Sequence, residues 1–311
     1  MKAFTCDRYK FPLPEWHRFP LVKYERLRIR IEESGLIAPE DLIVPRAATD
    51  GELLLVHDAD YLRRVAEGTL SRDEVRVMGL PWSQGLVERS RRSVAATIEA
   101  CEWAMVDGVA AHLAGGTHHA FPARGAGFCV FNDAAVAARV LLAGGRARRV
   151  VIIDCDVHQG DGTASIFADD PAVFTFSIHG ANNYPPVKPP SDLDIELDDG
   201  VKDEAYLEAV DRGVRTAIDR AGADLAIYLA GADPFLFDRL GRLGVSKEGL
   251  AARDRLVLGL CREAGLPVAV TLAGGYAEEI EDTVDIHYAT VREAVAFADA
   301  RTSPPDRPAG P

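Results

Sequence analysis

Two carboxylates and an imidazole alternate with apolar residues in the segment Asp154-Cys-Asp156-Val-His158. Successive side chains of an extended chain point to opposite sides, so the three polar groups are expected on one side. Two carboxylate oxygens and a ring nitrogen suit a divalent cation. An isolated segment of this kind is equally well explained as a strand end whose acids cap neighbouring helices.

Asp233 is a third candidate metal ligand, because it follows the apolar run 225–229 through Ala-Gly-Ala. Alone, it is most simply a turn or cap residue. Together, Asp156, His158 and Asp233 would leave coordination positions open for water and substrate, as catalytic zinc sites do.

The adjacent histidines His118 and His119 follow Gly115-Gly116-Thr117. Such a pair is often a surface feature. The alternative is an acid and base pair, which needs carboxylates to hold each imidazole in its tautomer. Asp154 and Asp161 flank the metal motif and are available for this purpose.

Tyr276 follows two glycines, Gly274 and Gly275. Its phenol is either half-buried packing or, beside a metal, a hydrogen-bond donor to a developing oxyanion. The segment 125–129 places Phe128 after Gly127, either in a plain turn or as the wall of a narrow channel. It lacks the spacing of a dinucleotide-binding loop.

The elements that must position these residues alternate between strands and helices. Apolar runs predict buried strands at residues 53–56, 150–153, 173–178, 225–229 and 268–272. Helices are predicted from the stripe Val87, Ser90, Val94, Ile98, Cys101 and Met105 and from residues 133–142, which Gly144-Gly145 ends. We therefore expect one α/β domain over residues 1–300, with a mainly parallel central sheet and helices on both faces. Ligands of such sheets bind beyond the carboxyl ends of the strands.

Composition narrows the function classes. The 311 residues are 48% hydrophobic and 27% charged, as in an ordinary globular protein. The net charge of −13 argues against direct nucleic acid binding. Five cysteines without a C-x-x-C pair, no apolar signal region and no apolar run of 18 residues predict a cytoplasmic protein without a membrane partner. The Pro-rich residues 301–311 are expected to form a disordered tail. The oligomeric state stays open.

Five motifs, in order, resemble those of the histone deacetylase superfamily, the zinc-dependent amidohydrolases with an arginase-like α/β fold. They are Gly-Gly-Thr-His118-His119-Ala, Gly127-Phe128-Cys-Val-Phe-Asn-Asp133, Asp154-Cys-Asp156-Val-His158-Gln-Gly-Asp161-Gly-Thr, Ala-Gly-Ala-Asp233 and Gly274-Gly275-Tyr276. His17-Arg-Phe-Pro followed by Lys23-Tyr24, and Gly79-Leu-Pro-Trp-Ser83, look most like class IV and its bacterial relatives.

The resemblance implies a role for each of these residues. Zinc, or Fe²⁺ in its place, would be bound by Asp156, His158 and Asp233. His119, oriented by Asp161, would act as general base and then acid, His118 and Asp154 would form the more buried pair, and Tyr276 would stabilise the oxyanion.

The resemblance also implies a structural potassium ion and a substrate tunnel. Main-chain oxygens of Asp154, Asp156 and His158 would hold the potassium ion together with Ser177 and Ile178. The tunnel would be lined by Gly127, Phe128, Leu240 and Gly274.

The implied reaction is amide hydrolysis of an acyl-lysine or acylpolyamine to a carboxylate and a free amine. No second tunnel aromatic aligns cleanly in the stretch around Tyr184, which, with the class IV resemblance, predicts a preference for acyl chains longer than acetyl. The opposing expectation is that Phe128 and Leu240 close the tunnel at acetyl size. A two-metal ureohydrolase is one alternative, although Pro234 and Phe235 stand where a second D-x-D would continue from Asp233. A catalytically silent binding module is another, although no ligand, histidine or tyrosine is missing.

Overall fold

The computed structural model describes residues 1–302 as a parallel sheet between two layers of helices. The strands are β1 (Ala3–Phe4), β2 (Leu42–Ile43), β3 (Val109–His112), β4 (Val150–Asp154), β5 (Val173–Gly180), β6 (Leu193–Leu197), β7 (Leu225–Leu229) and β8 (Val268–Thr271). The helices are α1 (Val22–Ser34), α2 (Asp50–Leu53), α3 (Ala59–Glu67), α4 (Arg72–Met78), α5 (Gln84–Asp107), α6 (Asp133–Ala143), α7 (Asp161–Phe167), α8 (Asp203–Ala221), α9 (Lys247–Glu263) and α10 (Ile280–Thr302). The strand order is β2-β1-β3-β8-β7-β4-β5-β6.

The central strands bury both of their faces, which explains their continuous apolar sequences. Val151 and Ile153 of β4 pack in the core formed with α1, α8, α9 and α10. Val150 and Ile152 pack on the opposite face with α5 and α6. All strand pairs are parallel, so the predicted fold class is confirmed.

The strand predicted at residues 53–56 is wrong. Leu53 ends helix α2, which a capping box begins: the Thr49 hydroxyl accepts a hydrogen bond from the Glu52 N–H, and the Glu52 carboxylate accepts one from the Thr49 N–H. Leu54 and Leu55 are exposed rather than buried. The chain also forms β1, β2, β3 and β6, which are too short or too exposed to give an apolar run.

The remaining expectations concern the tail and the membrane. Of the Pro-rich tail predicted at residues 301–311, residues 303–311 lie outside the described residues, whereas Arg301 and Thr302 end helix α10. Among the helices of residues 1–302, none combines the length and apolar character that a bilayer crossing requires.

Two glycines inside helices test how tightly this fold is packed. A Cβ atom at Gly213 of α8 would lie 2.4 Å from the Phe176 ring, whereas one at Gly259 of α9 would meet no atom within 4 Å. We expect Gly213→Ala to lower the free energy of unfolding by about 1–3 kcal/mol through overpacking. The matched control Gly259→Ala should raise it by about 0.5–1 kcal/mol. Urea unfolding measures both, and equal effects of the two substitutions would contradict the close packing of α8 on β5.

Candidate active site

Four neighbouring strands end at the same edge of the sheet, and each delivers polar residues there. The loop after β3 carries His118 and His119, and the loop after β8 carries Tyr276. Asp233 follows β7, which lies between β8 and β4. Asp154 ends β4 and is followed by Asp156 and His158. Parallel strands therefore bring together residues that are more than 150 positions apart in the sequence.

The three candidate metal ligands converge at this edge. One ligand atom from each of Asp156, His158 and Asp233 lies within 4.8 Å of the others, and within residues 1–302 this is the one such group. His158 Nδ1 is 2.9 Å from Asp156 Oδ1 and 3.2 Å from Asp233 Oδ2. The Gly274 N–H donates to Asp156 Oδ2 at 2.8 Å, and the Val157 N–H donates to Asp233 Oδ1 at 2.9 Å. Both carboxylates are thus held in place by the backbone.

The two buried carboxylates of this cluster favour binding of a cation. Burial, and then the negative charge of Asp156, raise the pKa of Asp233 to about 7. Burial opposes a charge on His158, but its close contacts with the two carboxylates raise its pKa to about 10. Asp233 Oδ2 is buried and accepts no hydrogen bond of good geometry. An unpartnered buried carboxylate oxygen beside a ring nitrogen and a second carboxylate fits a divalent metal ion.

The two adjacent histidines each bond to a different carboxylate. His118 Nδ1 is 2.6 Å from Asp154 Oδ2, and His119 Nδ1 is 2.6 Å from Asp161 Oδ1. A carboxylate only accepts, so each Nδ1 donates and each Nε2 is directed elsewhere. The two ring centroids are 4.1 Å apart.

The neighbouring imidazoles nevertheless differ in their affinity for protons. Burial lowers the pKa of His118, but the charges of Asp154 and Asp156 outweigh burial and raise it to about 9. Burial, and then the charge of His118, lower the pKa of His119 to about 4, against the opposing effect of Asp161. At neutral pH His119 therefore has a free lone pair at Nε2 while His118 is protonated, which is the pattern of a base beside an acid.

The loop that carries the histidines is anchored by Asp133 at the start of α6. Asp133 Oδ1 accepts hydrogen bonds from the Thr117 N–H at 2.7 Å and the Thr117 hydroxyl at 2.6 Å, and Oδ2 accepts from the Gly116 N–H at 3.1 Å. Gly116 has φ +68°, and a Cβ there would lie 2.4 Å from the Ala273 Cβ. Only glycine permits this close approach of the histidine loop to the segment after β8. Asp133 belongs to a motif quoted from the sequence, but its anchoring role needs the folded chain.

Two cavities meet at these side chains. The outer cavity, of about 430 Å³, and the inner one, of about 80 Å³, share Gly127, Phe128, His119, His158 and Tyr276. Leu240 lines the outer cavity, and Gly274 lines the inner one. The structure therefore brings all the predicted tunnel residues to the cavities beside the candidate metal ligands.

Tyr184 is a site residue that the sequence did not identify. Its ring centroid lies 4.8 Å from that of His119 at an interplanar angle of 88°, and it lines the outer cavity. The Lys188 ammonium holds this loop by donating to the carbonyls of Ala181, Asn183 and Pro185 at 2.9–3.0 Å. The stretch around Tyr184 aligns with no second tunnel aromatic, yet the structure supplies one, because this loop positions Tyr184 through its own bonds rather than through a sequence motif.

The charged side chains at the outer cavity, apart from the histidines, are Arg76 and Arg242. Both are exposed and form surface ion pairs, Arg76 with Asp73 at 3.0 Å and Arg242 with Asp199 at 3.2 Å. Among the described residues that line this cavity there is no carboxylate. Surface ion pairs are weak, so both guanidinium groups can still interact with a ligand.

The residues expected to hold a potassium ion lie on adjacent strands. The register of β4 and β5 sets Asp154 opposite Ser177, with Ile178 next along β5. The Gly180 N–H donates to the Val157 carbonyl at 3.0 Å, which keeps the two chains together past the end of β4. The potassium site itself remains a prediction.

Comparison with known proteins identifies the class to which this fold and site belong. Residues 17–291 match the histone deacetylase domain. The chain is 46% identical over 279 residues to an uncharacterized protein of Picosynechococcus sp., covering 90% of this chain and 93% of that protein. It is 30% identical over 283 residues to histone deacetylase 2 of Arabidopsis thaliana, covering 86% and 73% of the two chains. An HDAC homolog from Aquifex aeolicus has the same fold, with a TM-score of 0.79 and 24% identity over 95% of this chain and 84% of that one.

These matches place the protein among the hydrolases of the deacetylase class. The chain belongs to the histone deacetylase family.

The convergence of three ligands predicts tight binding of one divalent ion. After dialysis against zinc or ferrous ion and gel filtration, we expect about one equivalent per chain, because three protein ligands make a catalytic zinc site. Asp233→Asn should lose the ion. Asp161→Asn, which removes a buried carboxylate that bonds to His119 and not to the cluster, should keep it. Elemental analysis measures both; two equivalents in the wild type would favour the ureohydrolase alternative, and none would contradict the site.

Proposed function

We propose that this protein is a metal-dependent deacylase that hydrolyses the amide of an acylated amine. The observation that carries this proposal is the meeting of three kinds of group at the junction of the two cavities. They are the cluster Asp156, His158 and Asp233, the neutral base His119, and the phenol of Tyr276. Family membership agrees with deacylation, and the geometry supports the assignment of individual residues.

Asp156, His158 and Asp233 would hold the metal ion. Zinc and ferrous ion both accept one nitrogen and two oxygen ligands. A divalent ion bound there supplies Lewis acidity for the amide carbonyl and for the attacking water. Among the described residues this is the one group of at least three such ligand atoms that lie within 4.8 Å of one another, which favours a single ion over the two-metal ureohydrolase alternative.

His119 is the general base in this proposal. Its Nδ1–H bond to Asp161 fixes the tautomer that exposes the Nε2 lone pair, and its lowered pKa keeps it neutral at pH 7. His119 removes a proton from water and then returns it to the leaving amine. The charged imidazole of His118 lowers the pKa of His119 and is itself held by Asp154.

Tyr276 is the hydrogen-bond donor to the oxyanion. Burial, and then the charges of Asp156 and Asp233, raise the pKa of its phenol well above the usual value. The phenol therefore keeps its proton at every pH at which the enzyme would work. A fixed donor at the position where negative charge develops lowers the barrier without reorganising during the reaction.

The outer cavity favours acyl-lysine over acylpolyamine as the substrate. Phe128, Tyr184 and Leu240 offer apolar walls to an alkyl chain. Arg76 and Arg242 are the charged groups at this cavity, and they would repel the additional ammonium groups of a polyamine. A lysine side chain whose amine is acylated carries no charge at its end and meets no such penalty.

The oxyanion role predicts the effect of removing one hydroxyl group. Tyr276→Phe should keep the bound metal ion and lower kcat by about 10² to 10³-fold, as loss of one oxyanion donor does. Steady-state kinetics on an acetyl-lysine peptide, with elemental analysis of the same sample, gives both values. His119→Ala should be at least as damaging. A Tyr276→Phe enzyme with most of its turnover would make the tyrosine a packing residue and would refute the mechanism.

The inner cavity predicts how activity depends on acyl length. It is lined by apolar side chains that include Phe19, Leu80 and Leu86, and at about 80 Å³ it can take a few carbon atoms. It is smaller than the roughly 150 Å³ cavity that admits benzene in an engineered protein. We expect kcat/KM to rise from acetyl to butyryl, by up to about fourfold for each methylene buried at 0.8 kcal/mol. It should then fall for octanoyl and myristoyl, since overpacking is costly.

One lysine peptide carrying each of the four acyl groups measures this series, with acetylspermidine as the polyamine comparison. A continuous rise to myristoyl would show that the inner cavity opens. A higher kcat/KM for acetylspermidine than for acetyl-lysine would refute the substrate preference.

A further inference from the structure

Lys23 of helix α1 is a buried cation that the proposed mechanism does not use. Its side chain is in the core at 1% exposure, and its ammonium donates to the Gly275 carbonyl at 3.1 Å. The same ammonium lies 5.0 Å from the centroid of the Tyr24 ring and 5.2 Å from that of the Tyr276 ring. In the described part of the chain no carboxylate oxygen lies within 4.0 Å of it. Lys23 thus reaches the turn that carries the candidate oxyanion donor, bonding to Gly275 from 252 residues away.

Burial of this ammonium is unfavourable. Burial lowers the pKa of Lys23 to about 8, while the negative charges of Asp233, Asp238 and Asp156 act in the opposite direction. An apolar side chain of similar length would fill the same space without the cost of desolvating a charge. The ammonium contacts the Gly275 carbonyl and the Tyr276 ring, which indicates that it serves to hold this part of the active site.

The loop that carries Tyr276 is held at three consecutive residues by three different elements. The Gly274 N–H donates to Asp156, and the Tyr276 N–H donates to Asp238 Oδ2 at 2.6 Å. Gly275 lies between them at φ +147°, and Lys23 binds its carbonyl. The Lys23 ammonium also lies over the phenol ring of Tyr276. Its loss would free the carbonyl of a glycine, the residue with the least resistance to rotation.

We propose that Lys23 is a positioning residue that holds the Gly275–Tyr276 turn and the phenol ring in the orientation needed for catalysis. The proposal rests on the proposed function of Tyr276 as the oxyanion donor. Lys23 lines neither cavity and is not one of the candidate metal ligands, so its effect is expected to pass through Tyr276. A misplaced donor weakens stabilisation of the transition state more than binding of the substrate.

Lys23→Met tests this role, because methionine keeps the length of the side chain and removes the ammonium. We expect kcat to fall by about 10²-fold, the size of effect that a small misplacement of a catalytic group produces. KM should stay within about twofold, and the metal content should equal that of the wild type. Ile31→Val, which removes a methyl group from the buried face of the same helix, is the matched control and should keep wild-type kcat.

The double variant Lys23→Met/Tyr276→Phe separates positioning from a general structural role. If Lys23 acts through the phenol, the double variant is no slower than Tyr276→Phe alone, because the two changes remove the same contribution. If the two losses multiply, or if Lys23→Met keeps wild-type kcat, the proposal is refuted. Should Lys23→Met fail to fold, Lys23→Leu, which also removes the ammonium and leaves no N–H donor, is judged by the same criteria.

The pH profile gives a second readout. Groups of several elements face the ammonium: Tyr24 of α1, Arg89 of α5, His287 of α10, Tyr276, and the carboxylates Asp156, Asp233 and Asp238. Lys23 is charged below its pKa, so wild-type kcat should fall as pH rises through about 8. Lys23→Met should lack the part of the alkaline decline that lies near pH 8, and a profile identical to that of the wild type refutes the role of the ammonium.

The outcomes also separate this inference from the proposed function. A fully active Tyr276→Phe enzyme overturns the oxyanion role and this inference with it. An impaired Tyr276→Phe enzyme beside a fully active Lys23→Met enzyme overturns only the role of Lys23.

Discussion

Two carboxylates, Asp156 and Asp233, are buried side by side with the imidazole of His158, and the rest of the site follows from this constraint. Like charges in a buried place repel each other unless a cation or a proton lies between them. Backbone N–H groups of Gly274 and Val157 fix one oxygen of each carboxylate, which leaves the other oxygens free to face a metal ion. A parallel sheet supplies such a rigid frame, because the ends of β4, β7 and β8 are adjacent and held by the ladders behind them.

Burial beside the same carboxylates also gives the two histidines different pKa values, so that His118 is an acid and His119 a base at neutral pH. His118 lies nearer the carboxylates of the cluster and is 3.8 Å from Asp156, whereas His119 lies beside a charged imidazole. Each has one carboxylate partner, so the difference arises from the surroundings and not from the pairing. The glycines at 115 and 116 make the arrangement feasible, since a side chain at 115 would collide with Asp133 and His112, and one at 116 with Ala273.

Much of this site could be predicted from the sequence, because its signals are local. The period of two in Asp154-x-Asp156-x-His158 places side chains on one side of an extended chain, and the apolar runs before Asp154, Asp233 and Gly274 mark strands buried on both faces. Parallel strands must then present those residues at one edge. The strand predicted at residues 53–56 failed for a local reason too: the Thr49–Glu52 capping box begins a helix there.

The sequence by itself determined the class of fold and the polar side chains that lie at the carboxyl ends of the strands. The tertiary structure alone decided how distant elements support them. Tyr184 lies beside His119 because Lys188 binds three carbonyls of the loop that carries Tyr184. Asp133 anchors the histidine loop from the start of helix α6. Lys23 reaches Gly275 across 252 residues. Such contacts leave no periodic pattern, because they depend on how helices and loops pack over the sheet rather than on the geometry of any one segment.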